Sequence, residues 1–102
     1  MNENKNNIEI MKYIATMYKD VKKQMKEGNR PIQKNYTIDP GVEFVHYIDS
    51  LLEMMPSDYQ KIIQKDFLEE RTKKWWQEYY KKSTYYRRKS EAIQAFVDCV
   101  TK

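Results

Sequence analysis

Between Arg71 and Lys89 the chain places Arg71, Lys73, Lys74, Lys81, Lys82, Arg87, Arg88 and Lys89 against a single acid, Glu78. The whole chain of 102 residues has a net charge of only +4, so everything outside this stretch sums to a negative value. Positive charge concentrated in this way is the footprint of a polyanion site, where lysine and arginine displace the counterions around phosphate. A solvated Lys-rich helix face produces the same count, so spacing has to separate the two. Ser83 and Thr84 open a segment with helical period, whose apolar side is Tyr86, Ile93, Phe96, Val97 and Val100. Its other side carries Thr84, Arg87, Arg88 and Glu91. A hydroxyl and two guanidinium groups near a helix start can address base edges, because arginine reaches guanine O6 and N7 in a bidentate way. The helix N-terminus with Ser83 and Thr84 suits a phosphate. Tyr85 falls between the faces, within reach of a backbone or a thymine methyl, and Lys73, Lys74, Lys81, Lys82 and Lys89 supply contacts to phosphate.

The same stretch is rich in aromatic residues. Neighbours on a helix lie about 100° apart, so consecutive pairs cannot all face inward. Trp76, Tyr79 and Tyr86 are expected inside, and Trp75, Tyr80 and Tyr85 partly exposed. Exposed Trp75 and Tyr80 would suit a partner-binding patch, since Trp and Tyr often dominate interface energy. Exposed rings would also suit stacking of single-stranded bases.

Other chemistries find little to work with. One cysteine, Cys99, and one histidine, His46, allow neither an intrachain disulfide nor a Cys/His zinc site. Cys99 is expected to be a small, buried or half-buried apolar residue. Two glycines cannot build a phosphate-cradling loop, and Glu43, Asp49, Glu69 and Glu70 are scattered carboxylates with no pairing in the sequence. No enzyme, metal or cofactor is expected. No apolar run approaches the roughly 20 residues of a membrane span, and a cytoplasmic location is expected.

The elements that must position the basic stretch are helical. Ile8, Met11, Ile14, Ala15, Tyr18, Val21 and Met25 step by three or four, predicting a helix over 8–27, with the polar Met1–Asn7 frayed and Gly28-Asn29 as the stop. Residues 28–40 read as a loop that Ile32, Tyr36 and Ile38 could pin to the core. Asp39-Pro40 predicts a capped helix over 40–54. Pro56 ends it, and Ser57 or Asp58 caps a third helix to about Glu70. A short fourth helix is expected over 72–80 and a fifth over 83–100, with Ser83 as its cap. Together these predict one all-α domain over 1–102: an N-terminal helix and loop at 8–40, then a helical core at 41–102. About five helices would surround one core, with a helix-turn-helix at 73–100.

The stretch from Leu52 to Val100 resembles the C-terminal helix-turn-helix domain of sigma factors. It is still more similar to the sigma-like late transcription regulators of phages in Gram-positive bacteria. The shared pattern is Met55-Pro56, then Ile62-Ile63, a helix, the Ser-Thr-Tyr-Tyr-Arg opening at 83–87, and the step from Lys89 to Ala92. Small uncharacterised proteins of wall-less bacteria carry a similar Ser-Thr-Tyr-Tyr element. The stretch differs from the family in its Trp75-Trp76 and Tyr79-Tyr80 pairs and in a turn without glycine. The resemblance implies a DNA-binding transcription regulator whose partners are double-stranded DNA and RNA polymerase or another protein, acting as monomer or homodimer. The alternative is a protein-interaction module that keeps the fold without reading DNA.

Overall fold

The computed structural model describes residues 3–28, 39–69 and 74–101. The expected loop with Ile32, Tyr36 and Ile38, the charged residues Arg71 and Lys73, and the start of the expected fourth helix lie outside them. The described chain is all-helical, with four α-helices: α1 (Glu3–Lys26), α2 (Pro40–Met54), α3 (Ser57–Ile63) and α4 (Lys82–Thr101).

α1 is longer than its apolar stripe, because it begins at Glu3 within the polar segment expected to fray. It ends where Gly28 adopts φ +79°, a left-handed conformation that glycine takes without a Cβ penalty. Its buried stripe is Met11, Ile14, Ala15, Tyr18 and Val21, as the period predicts. α2 starts at the Asp39-Pro40 signal. An Asp39 carboxylate oxygen accepts from the backbone N–H of Gly41 at 2.8 Å and of Val42 at 3.4 Å, satisfying two donors that a helix start leaves open. Val42, Val45, Ile48 and Leu52 face the core.

α3 departs from the expectation at both ends. Pro56 occupies its cap position and no side chain caps it. After Ile63 the backbone widens into a π-helical turn, Gln64–Leu68, closed by Glu69 N–H donating to Gln64 C=O at 2.7 Å. Such turns are rare and often lie at functional sites. The expected fourth α-helix is instead a single 3-10 turn, Trp75–Glu78, so four α-helices replace five. The tight turn lets Trp75 and Trp76 pack on separate sides of Tyr85.

One apolar cluster joins all four helices. Ile62 and Ile63 of α3 meet Ala92, Ile93, Phe96 and Val97 of α4, with α1 and α2 closing the other sides. Tyr18 of α1 crosses to α2, its hydroxyl donating to Asp49 at 2.5 Å. No described helix is long and apolar enough to cross a membrane. Cys99, expected to be at least half-buried, is exposed, because it falls outside the Ala92–Phe96 stripe of α4.

Candidate nucleic-acid interface

The start of α4 is held by a carboxylate that sequence reasoning passed over. Asp66 sits in the π-helical turn with its side chain only 9% exposed. It accepts the indole N–H of Trp75 at 2.7 Å and the phenol of Tyr85, and pairs with the Lys89 ammonium at 3.4 Å. Three donors from two elements thus converge on one acid. Asp66 follows the buried Ile62 by four residues and Ile63 by three, a helical step from the apolar side of α3. An acid on an apolar stripe was the signal available.

Tyr85 is the centre of the ring cluster. It is 3% exposed, with Trp76 stacked on it at 4.4 Å between centroids and 7° between planes. Trp75 meets its edge at 6.1 Å and Tyr86 at 5.0 Å. Burial, then the bond to Asp66, hold the Tyr85 phenol far above the ordinary phenol range. Tyr85, expected to project between the faces toward DNA, is therefore an internal anchor. It keeps step with Ala92 and Phe96, seven and eleven residues on, along the core side of α4.

The converse correction applies to Tyr79 and Tyr86, which were expected inside and are 57% and 52% exposed. Trp76, also expected inside, is half-buried and stacks on Tyr85. Tyr86 instead borders a cavity of about 240 Å³ between α1 and α4, together with Ile8, Lys89, Ser90 and Ile93. Trp75 and Tyr80, the expected partner anchors, are both half-buried. Lys61 lies 3.5 Å over the face of Tyr79, a cation–π contact of about 0.5–1 kcal/mol at an exposed ring.

The expected nucleic-acid residues now separate by environment. Lys74, Lys81, Lys82, Ser83 and Arg87 are exposed, and Thr84 is half-buried beside them. Lys81 precedes α4, and its C=O accepts from Tyr85 N–H at 2.8 Å, closing the first turn ahead of the expected cap at Ser83. Lys89 faces inward, paired with Asp66 and lying over Phe67 and Tyr85. Arg88 leans toward Asp58 at 3.8 Å, with its Nε buried and unpartnered. Beside it, Tyr59 donates to Glu91 at 3.1 Å. α1 approaches α4 further along, where Asn7 donates to Gln94 at 2.8 Å.

These elements define an all-α protein whose last helix presents cations from a buried aromatic and carboxylate anchor. No family model, curated protein or solved structure matches the chain. Among the described residues, no group of three His, Cys, Asp or Glu side chains could hold a metal ion.

Proposed function

We propose that the protein binds double-stranded DNA through the first two turns of α4, as a transcription-regulator-like module. Lys74, Lys81, Lys82 and Ser83 take phosphate, joined by Lys73, which lies outside the described residues. Thr84 and Arg87 address base edges. Arg88 joins them by leaving Asp58, a half-exposed ion pair of the kind worth about 0–1 kcal/mol. The observation that carries this reading is the exposure of Lys81, Lys82 and Arg87 on a helix start fixed from beneath by Asp66 and Tyr85. A rigid cationic helix end is what groove and phosphate contact require.

The test is fluorescence anisotropy of the full chain with duplex and with single-stranded DNA across salt. About four phosphate contacts give a log–log salt slope near −3.6 on duplex. Arg87→Ala combined with Arg88→Ala weakens duplex binding by roughly tenfold or more. A duplex affinity unaffected by these changes rejects the reading.

The protein-interaction reading has one observation in its favour. Exposed Tyr79 adjoins half-buried Trp75 and Tyr80, an aromatic surface beside the basic turn. A protein partner such as RNA polymerase would bury it. Tyr79→Ala then abolishes partner binding and leaves duplex affinity unchanged.

A further inference from the structure

A second group of cations sits on a different helix, in the C-terminal half of α1. Lys19, Lys22, Lys23 and Lys26 stand at i, i+3, i+4 and i+7, which places them on one face over about 10 Å of helix. All four border one cavity of about 620 Å³ between α1 and the π-helical turn. Its other walls are Tyr18, Met25 and Leu68, so the rim is cationic and the floor apolar. The size falls within the about 300–1,000 Å³ of small-molecule sites.

The charge at this cavity is not consumed by the fold. Lys22, Lys23 and Lys26 are exposed, and among the described residues none of them pairs with a carboxylate. Lys22 lies 5.8 Å from the centroid of the Tyr18 ring. The nearest acids of α1, Asp20 and Glu27, project about 90–110° round the helix from the centre of the Lys row. Asp20 accepts from the Gln24 amide at 3.3 Å. At the Tyr18 end the sign changes. The Tyr18 hydroxyl donates to Asp49, and the charge of Glu69, next to Leu68, acts on the same phenol. An anion is therefore drawn to Lys22, Lys23 and Lys26, and the uncharged part of a ligand is left to Tyr18, Met25 and Leu68.

Three ammonium groups within about 6 Å of helix match a denser anion than an acidic peptide, which carries one charge per side chain. A phosphate chain supplies that density, with about −1.5 to −2 on its terminal group alone. Lysine grips phosphate as a point charge with three donors. The ring and thioether beneath suit the face of a planar base. Duplex DNA, with its bases stacked inside, would leave that floor empty. We propose that the cavity between α1 and the π-helical turn binds a nucleoside polyphosphate. Its phosphates lie on Lys22, Lys23 and Lys26, and its base packs against Tyr18, Met25 and Leu68. The proposal is independent of DNA binding by α4, since it uses none of the same residues.

Nuclear magnetic resonance of the isotope-labelled full chain, titrated with ATP in the absence of divalent metal, tests it. ATP is expected to bind saturably and to shift the amides of residues 18–26 and of Leu68. Adenosine and inorganic tripolyphosphate are each expected to bind at least roughly tenfold more weakly, because each makes only part of the contact. Lys22→Gln with Lys26→Gln weakens ATP binding roughly tenfold. Lys12→Gln, at an exposed lysine of α1 that does not border the cavity, changes it by less than about twofold. Met25→Ser weakens ATP but not tripolyphosphate, and amide dispersion reports whether each variant folds. Arg87→Ala with Arg88→Ala leaves ATP affinity unchanged, which separates failure here from failure of the duplex reading. No saturable binding, shifts centred on α4, or an equal loss in Lys12→Gln overturns the proposal. Tripolyphosphate binding as tightly as ATP overturns it in favour of a diffuse anion-attracting surface. A DNA duplex shifting these amides at lower concentration than ATP overturns it in favour of a second DNA contact.

Discussion

The start of α4 and the outer face of α2 solve opposite problems. At the start of α4, Tyr85 and Asp66 are nearly out of contact with water, yet their polar atoms are matched: phenol and indole N–H to carboxylate, ammonium to carboxylate. On α2, apolar side chains up to the 82% exposed Met54 are left against water. The first region turns buried polarity into rigidity, and the second leaves apolar surface unused by the core. Sequence pattern alone put Trp75, Tyr80 and Tyr85 partly at the surface and Trp76, Tyr79 and Tyr86 inside, and read α2 as a core helix.

The two regions are therefore expected to respond to substitution very differently. Asp66→Ala leaves Lys89, whose side chain is 30% exposed, and two donors without their acceptor, and is expected to destabilise the fold by about 1–3 kcal/mol, read from urea unfolding. A loss below about 1 kcal/mol would mean that the anchor is ornamental. Alkaline pH gives the next effect. Tyr18 and Tyr85 both keep their protons above the ordinary phenol range, burial being the first cause and a carboxylate bond the second. A folded pKa raised above the unfolded value near 10 gives stability that is full below that pH and lost as pH rises beyond it. The unfolding free energy is therefore expected to fall above about pH 10, by up to about 1.4 kcal/mol per pH unit for each group. Tyr85→Phe makes that fall shallower.

Gly28→Ala should cost about 1 kcal/mol by thermal unfolding, from the φ of +79° alone, since a Cβ there meets nothing within 4 Å. Met54→Ser is the smallest change, within about 0.5 kcal/mol, because the side chain is mostly in water already. A larger loss would show that α2's outer face supports the fold and would remove the contrast.

The parts of the fold that were legible are those set by local chemistry. The α1 stripe, the Asp39-Pro40 cap and the buried side of α2 follow from period and capping, and both operate within one or two turns. The Asp66 anchor depends on contacts between residues 9 to 23 positions apart, and on a π-helical turn that no local pattern announces. Tyr85 and Tyr86 are adjacent and chemically alike; Tyr85 is buried on the Ala92–Phe96 side of α4 with Trp76 stacked on it, and Tyr86 is exposed. The same holds for the cations. Lys89 and Arg87 look equivalent in the sequence, and Asp66 pairs with Lys89 while Arg87 stays exposed.

On the proposed reading, the exposed Lys81 and Lys82 at the start of α4 grip duplex DNA while Lys89, paired with Asp66, serves the fold. Salt-dependent anisotropy on one duplex, comparing the unmodified chain with Lys81→Ala, Lys82→Ala and Lys89→Ala, tests this most directly. Lys81→Ala and Lys82→Ala are each expected to flatten the log–log salt slope by about 0.9 with stability unchanged. Lys89→Ala is expected to lower stability and leave the slope alone. A slope that flattens for Lys89→Ala but not for Lys81→Ala or Lys82→Ala would contradict it.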